Sequence, residues 1–373
     1  MSAWVLTALL AISAPNATPI ETPPELPAQV MVLPADLRAR VQQDVLSGAQ
    51  SQHMRFERLL HLVFDPGGLN LLYDENANTS VSQAYATHTM NCLTFAMLFI
   101  ALAREAGLDA YPQEIRDTLA WRLDSDIFYR VDHVNVVVRV DHKQYLVDIL
   151  RNSNSVIALR APEVVSDQRM LAHYYNNLAM EDLERNRIAP AMQEMDTALK
   201  LDPGYATNWS NAGVLYLHNG DQDAAEKAYE KALKLDPMNS GALANMANLA
   251  HREGDTVREE SFRKRLEREQ QSDPFFYFIQ AVQEDQAGQY AQAIDHYLRA
   301  IRMHGDEPRF YASLAHAYEQ TGDDQAAISA LNRAKWLSDG SIREGYAKQI
   351  EALRELSRET PRAIPATNRT NGT

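Results

Sequence analysis

The chain has 373 residues, 45% of them apolar and 23% charged, a formal net charge of −14 and a single cysteine. It is too long for one ordinary domain of ~100–150 residues, and apolar enough to bury a real core. The acidic balance excludes a nucleic-acid backbone as the main partner, since phosphate binding needs a basic surface, and one cysteine excludes both an internal disulfide framework and a cysteine-rich metal site.

Met1 to Pro15 forms an apolar run of signal-peptide length, too short to cross a bilayer. Small residues at Ser13, Ala14 and Ala17 suit a cleaving peptidase, so residues 1–20 are expected to be a signal peptide, although no Lys or Arg precedes the run. A periplasmic or secreted location is the expectation, with a cytoplasmic one as the alternative. Asp36 to Val63 reads as one amphipathic helix or two, with Leu37, Val41, Val45, Met54, Leu59, Leu60 and Val63 apolar; Asp65-Pro-Gly-Gly68 breaks it. Tyr73 to Tyr85 is polar and irregular.

Thr89 to Gly107 reads as one strong helix, rich in Ala, Leu, Met and Phe, with Gly107 where a C-terminal cap belongs. Cys92 falls in its first turn, where free backbone N–H groups and the helix dipole favour a thiolate. Ala110 to Ile115 follows as a strand, then a variable loop through Trp121 and Asp126. Val131 to Val140 alternates, with Val134, Val136, Val138 and Val140 on one face and His133, Asn135 and Arg139 on the other. Asp141 to Lys143 makes a turn, and Gln144 to Leu150 returns as a hairpin. In each register that the turn allows, Asp148 falls across from His133 or within about two rungs of it, a separation of ~5–8 Å.

Cys92, His133 and Asp148 thus form a candidate nucleophile, base and orienting carboxylate. The competing reading of Cys92 is an inert thiol at a helix start. His88, four residues before Cys92, is a rival base that lacks a carboxylate partner, and His142 sits in a turn. The histidines show no zinc-ligand spacing, so neither a metal nor a cofactor is expected. The stretches Asn91 to Ala110, Asp132 to Val138 and Tyr145 to Asp148 together resemble the transglutaminase-like superfamily of papain-fold thiol proteins, over residues 70 to 150 or so. The resemblance implies Cys92 as nucleophile, His133 as base and Asp148 as the group orienting His133. It also implies acyl transfer from an amide or peptide carbonyl to water or to an amine. Asn91 departs from the family pattern, where Gly is common; Asn tolerates positive φ better than most residues.

The second half repeats. Gly220, Gly254, Gly288 and Gly322 are each 34 residues apart, and Asn186 holds the same slot one period earlier. Trp209, Gly213, Tyr216, Ala225, Tyr229, Ala232 and Pro237 resemble the tetratricopeptide consensus, a helix–turn–helix repeat of ~34 residues. Five such units are expected, the third departing because its second helix, Asp255 to Asp273, is charged and overruns the period. Asn177, Asn211 and Asn245 share one slot and would form an amide ladder for an extended peptide, since each amide offers a donor and an acceptor.

The expected fold class is an α+β papain-like or transglutaminase-like domain over residues 21–165 followed by an all-α tetratricopeptide-repeat solenoid over residues 166–341. A capping helix at residues 342–359 and a disordered tail at residues 360–373 complete it. The expected function is a thiol acyl-transfer enzyme whose array recruits a protein or peptide partner, with no nucleic acid and no stable membrane span. The alternatives are a non-catalytic protein-binding scaffold, and an adaptor working through the repeats alone, from a chain starting near Val165.

Overall fold

The computed structural model describes residues 25–124, 127–149, 164–338 and 340–359. The expected signal peptide at residues 1–20 and the tail at residues 360–373 lie outside the described residues. Among the described residues no helix is long and apolar enough to cross a membrane.

The first part opens with helices α1 (Pro27–Val30) and α2 (Ala35–Arg40). A π-helical turn at Val41–Leu46 and helix α3 (Gln52–Phe64) follow. The wider turn keeps Leu37, Val41 and Val45 facing inward, all fully buried. Strand β1 (Leu72–Tyr73) and helix α4 (Val81–Thr87) occupy the stretch that the sequence left irregular, and strand β2 (Thr89–Met90) takes the first two residues expected to open the cysteine helix, which starts instead at Cys92. A capping box explains α4: Gln83 N donates to Ser80 Oγ while Ser80 N donates to Gln83 Oε1. Strand β1 pairs parallel with β2, too short a pair to leave a period in the sequence.

Helix α5 (Cys92–Glu105) is the hub of this part, with Leu93 to Ile100 and Leu102 and Ala103 buried. It ends as expected, with Gly107 at φ +72° and Leu108 N donating to Ala103 O at 2.9 Å. It packs on an antiparallel sheet of β3 (Asp109–Asp124), β4 (Ile127–Val140) and β5 (Lys143–Val147), in the order β3-β4-β5. Residues 141 and 142 close the β4–β5 hairpin, both with positive φ, as a two-residue primed turn requires. The valine face points to the core, as the alternation requires: Val134, Val136, Val138 and Val140 are at most 5% exposed. A further expectation fails. The loop through Trp121 is ordered as strand, so β3 and β4 continue as a long ribbon beyond the end of β5.

Five helix pairs follow: α6 (Asp167–Glu184) with α7 (Ile188–Leu201), α8 (Ala206–His218) with α9 (Gln222–Leu235), and α10 (Ser240–Glu253) with α11 (Thr256–Ser272). Then come α12 (Pro274–Gln286) with α13 (Tyr290–Met303), α14 (Pro308–Thr321) with α15 (Asp324–Trp336), and a last helix, α16 (Gly340–Glu359), against α15. Each pair turns on a residue with positive φ: Asn186, Gly220, Gly254, Gly288 or Gly322. Small residues let the paired helices approach; Ala191, Ala198, Ala225, Ala232, Ala293, Ala300, Ala327 and Ala334 are all fully buried. The third pair breaks the rule. Glu259 stands at the small-residue slot and pairs with His251 and Arg263, and α11 buries no residue. The apolar core is divided, with one cluster running from Val30 to Ala228, a second around Tyr229, Met246 and Leu249 with Phe262 of α11 packed on it, and others lying beyond α11.

A Cβ built at Gly213 falls within 3 Å of three atoms of the buried Tyr229 ring. In an open helix Gly→Ala gains about 1 kcal/mol. Here overpacking costs roughly 1–3 kcal/mol and wins. Gly213→Ala is expected to lower the urea midpoint of the full chain; a raised midpoint refutes the close packing.

The first part and the array are packed together. The α5 side chain of Arg104 forks onto Asp167 at 2.6 and 3.0 Å, and Asn78 Nδ2 donates to Tyr174 O at 3.2 Å. Tyr175 Oη donates to Glu25 O, and His173 Nε2 meets Glu114 Oε1 at 2.7 Å.

Candidate functional site

Cys92 is the first residue of α5 and is half-buried. The expectation that Asn91 adopts a turn conformation tolerant of positive φ is replaced by a different role: Asn91 has φ −91°, and its Oδ1 accepts from Thr94 N at 2.8 Å. It is the N-cap, so the residue before the thiol fixes the helix start. Thr94 secures the loop above, donating to Thr79 O at 3.0 Å and accepting from Thr79 N at 3.2 Å, while Asn91 N donates to Ala77 O at 3.2 Å.

On the sheet, Val136 pairs with Val147, so one register step further Asp148 falls opposite Asn135, two residues along β4 from His133. Asp148 is 7% exposed. The backbone therefore brings the stretches carrying His133 and Asp148 side by side, as the hairpin requires; the His133 side chain lies outside the described residues. His133 itself pairs with Ile115 at the last rung before β3 and β4 lose register. Asn135 is fully buried, and among the described residues neither atom of its side-chain amide has a partner.

Tyr73 is the residue that sequence reasoning missed. Strand pairing places it beside Met90, with Asp74 N donating to Met90 O at 3.0 Å. Burial raises its phenol above the ordinary value, and the negative charges of Cys92, Glu75, Asp148 and Asp74 raise it further. A two-residue strand offers no periodic signal by which to find it. His88 closes α4 with φ +56°, its Nδ1 meeting Leu69 O at 2.9 Å, a structural role. His142 lies in the turn, with φ +65°. Among the described residues no group of three or more His, Cys, Asp or Glu is placed to hold a metal.

In the array, Asn177, Asn211 and Asn245 sit on α6, α8 and α10, each half-buried. Asn211 Nδ2 donates to Asn176 Oδ1 at 2.8 Å, and Asn176 Nδ2 donates to Asn177 Oδ1 at 3.5 Å. The buried Asn176, unremarked in the sequence, thus links the first two rungs. Close by, Asp182 pairs with Arg187, while Glu194 Oε2 is buried with no partner among the described residues. Burial first, then the charge of Asp182, pushes the Glu194 carboxyl up to about 8.

Residues 206–239 and 280–341 match tetratricopeptide repeat family models. A chloroplastic tetratricopeptide repeat domain-containing protein, PYG7 of Arabidopsis thaliana, is 33% identical over 76 residues, 20% of this chain and 25% of that protein. The Hsp70-Hsp90 organizing protein of Triticum aestivum is 34% identical over 74 residues, 20% of this chain and 13% of that protein. The chain thus spans a quarter or less of the length of these relatives. Among solved structures, YrrB, described as a tetratricopeptide repeat protein with an unusual peptide-binding site, is 18% identical, covering 48% of this chain and 92% of its own, with a TM-score of 0.25. The sequence matches and the five helix pairs agree: the second part of the chain is a tetratricopeptide-repeat solenoid.

Proposed function

We propose that the chain is a protein-binding scaffold whose array holds an extended peptide of a partner protein. The observation that carries this reading is the run of repeat helices α6, α8 and α10 bearing the half-buried amides of Asn177, Asn211 and Asn245 in register. Such amides pair with a peptide backbone, and stacked repeats give them a continuous wall. Selection of a random-peptide display library on the full chain tests it. The expected peptides bind a variant with all three changed to Ala at least tenfold more weakly; equal binding to the variant refutes the ladder.

A second reading has an observation of its own. In this reading residues 21–165 are a transglutaminase-like thiol domain, and the hairpin register that sets the buried Asp148 opposite Asn135, two residues along β4 from His133, favours it. Cys92 attacks an amide or peptide carbonyl, His133 takes its proton and returns it to the leaving amine, and Asp148 orients His133. The acyl group then passes to water or an amine. The backbone N–H of Cys92, at the open start of α5, is a donor for the oxyanion. Turnover of a peptide carboxamide by the full chain, read as released ammonia with and without an added primary amine, is expected to be lost in both Cys92→Ala and His133→Ala. Turnover that survives in Cys92→Ala refutes the thiol reading, and no turnover by the unaltered chain leaves the scaffold alone.

A further inference from the structure

The first helices of the repeats stack directly, α6 on α8, α8 on α10 and α12 on α14. Between α10 and α12 that stacking is not repeated to the same extent. Instead β4 lies against α10 and β3 against α12. The third pair accompanies this difference: α11 has no fully buried residue, and its Phe262 packs back towards Met246 and Leu249 of α10.

Beyond the end of β5 the ribbon continues as an arm, from the pair Ala120–Val131 to the pair Asp124–Ile127. Strand β5 pairs only with Val136 to Val140, well short of it. At about 3.4 Å per residue the five paired residues on each strand extend roughly 17 Å. A two-stranded ribbon is marginal in water by itself, so the arm's order depends on the helices it lies against. It is also loosely joined to the sheet: between its first rung and the His133–Ile115 pair, residues 116–119 of β3 stand against residue 132 of β4 alone. Three extra residues on one strand uncouple its register from the sheet below. At the sheet end the ribbon is anchored, with Glu114 held by His173 at 2.7 Å and by Arg169 at 3.7 Å. The arm sequence is apolar and aromatic, with Leu119, Trp121, Leu123, Ile127, Phe128 and Tyr129 spaced by Arg122 and Arg130.

We propose that the wall between α10 and α12 is a strand-binding surface, that the β3–β4 arm is its tethered occupant, and that an extended peptide of similar aromatic and aliphatic character takes its place. The proposal rests on the array as a peptide holder and names the seat and the competitor within it. Tethering keeps the arm's effective concentration high, so the intact chain admits only ligands that outcompete it.

The test uses the full chain, intact and with residues 120–131 replaced by Asn-Gly to close the ribbon early. The probe is a fluorescein-labelled synthetic peptide of the sequence of residues 118–132. The shortened chain is expected to bind it at least tenfold more tightly than the intact chain; equal affinity, or no binding to either, overturns the proposal. Hydrogen exchange on the intact chain is the second measurement and does not require the variant to fold. Amides of residues 127–131 are expected to exchange about a hundredfold more slowly than an unstructured chain, and exchange at the unstructured rate overturns the proposal. Peptides selected by display test the scaffold reading and the arm peptide tests the seat, so the two fail separately.

Discussion

A chain that begins at Val165 is expected to lose its first helix pair and to aggregate. The sequence period makes such a fragment look self-sufficient, since all five helix pairs remain. The packing opposes it. Met170, Tyr174 and Tyr175 on α6 are at most 3% exposed and belong to the same apolar cluster as Val30, Phe95 and Val136. Exposing a large apolar side chain costs about 1.5–3 kcal/mol, so opening these three removes roughly 5–9 kcal/mol. That is comparable to the whole stability of a typical domain, about 5–15 kcal/mol. The fragment also loses the Arg104–Asp167 fork and the Glu114–His173 contact. Terminal repeats of a solenoid need a polar outer face or a cap, and here the first part of the chain is that cap. Far-ultraviolet circular dichroism and gel filtration read the outcome. A monomeric fragment with the full helix content of its five pairs refutes the shared core.

Glu194→Gln is expected to stabilise the chain in alkaline solution and to leave it unchanged in acid. The carboxyl titrates near 4.5 when exposed and at about 8 in the fold, because it is buried among Asp182 and Glu181 and one of its oxygens has no partner among the described residues. A raised carboxyl pKa means that the folded state holds the proton more tightly than the unfolded state does. Stability attributable to it is therefore complete below about 4.5, falls as pH rises towards 8, and is fully lost above that. At 1.36 kcal/mol per pH step the loss is on the order of 3–5 kcal/mol. Glutamine keeps the shape and removes the charge. Urea midpoints at pH 5 and pH 9 read the difference: the variant should match the natural chain at the first and exceed it at the second. A gain of equal size at both, or at neither, contradicts a buried proton at Glu194.

The helical half was legible because its signals repeat. A turn residue every 34 positions and paired alanines mark helices that meet the same neighbours in every unit. Even the defect at α11 shows in the sequence, as a run of charges where Ala is expected. In the first part, the cysteine helix and the valine strand were legible through their own periodicity. What was lost depended on partners distant in sequence. The strand at Tyr73 is two residues long and exists because β2 lies beside it. Trp121 reads as loop because no local pattern shows the helices that its strand reaches. Asn91 reads as a turn residue, whereas its amide is a cap whose target, Thr94, had been assigned only to the helix.

The loss of register beside His133 divides the ribbon into two lengths. Seven rungs, from Asp109–Arg139 to Ile115–His133, belong to the sheet in which β4 brings the stretch bearing His133 alongside the stretch bearing Asp148; five more, from Ala120–Val131 to Asp124–Ile127, form the arm. The slack residues of β3 fall one rung beyond His133, so a shift of the arm is absorbed there before it reaches the sheet.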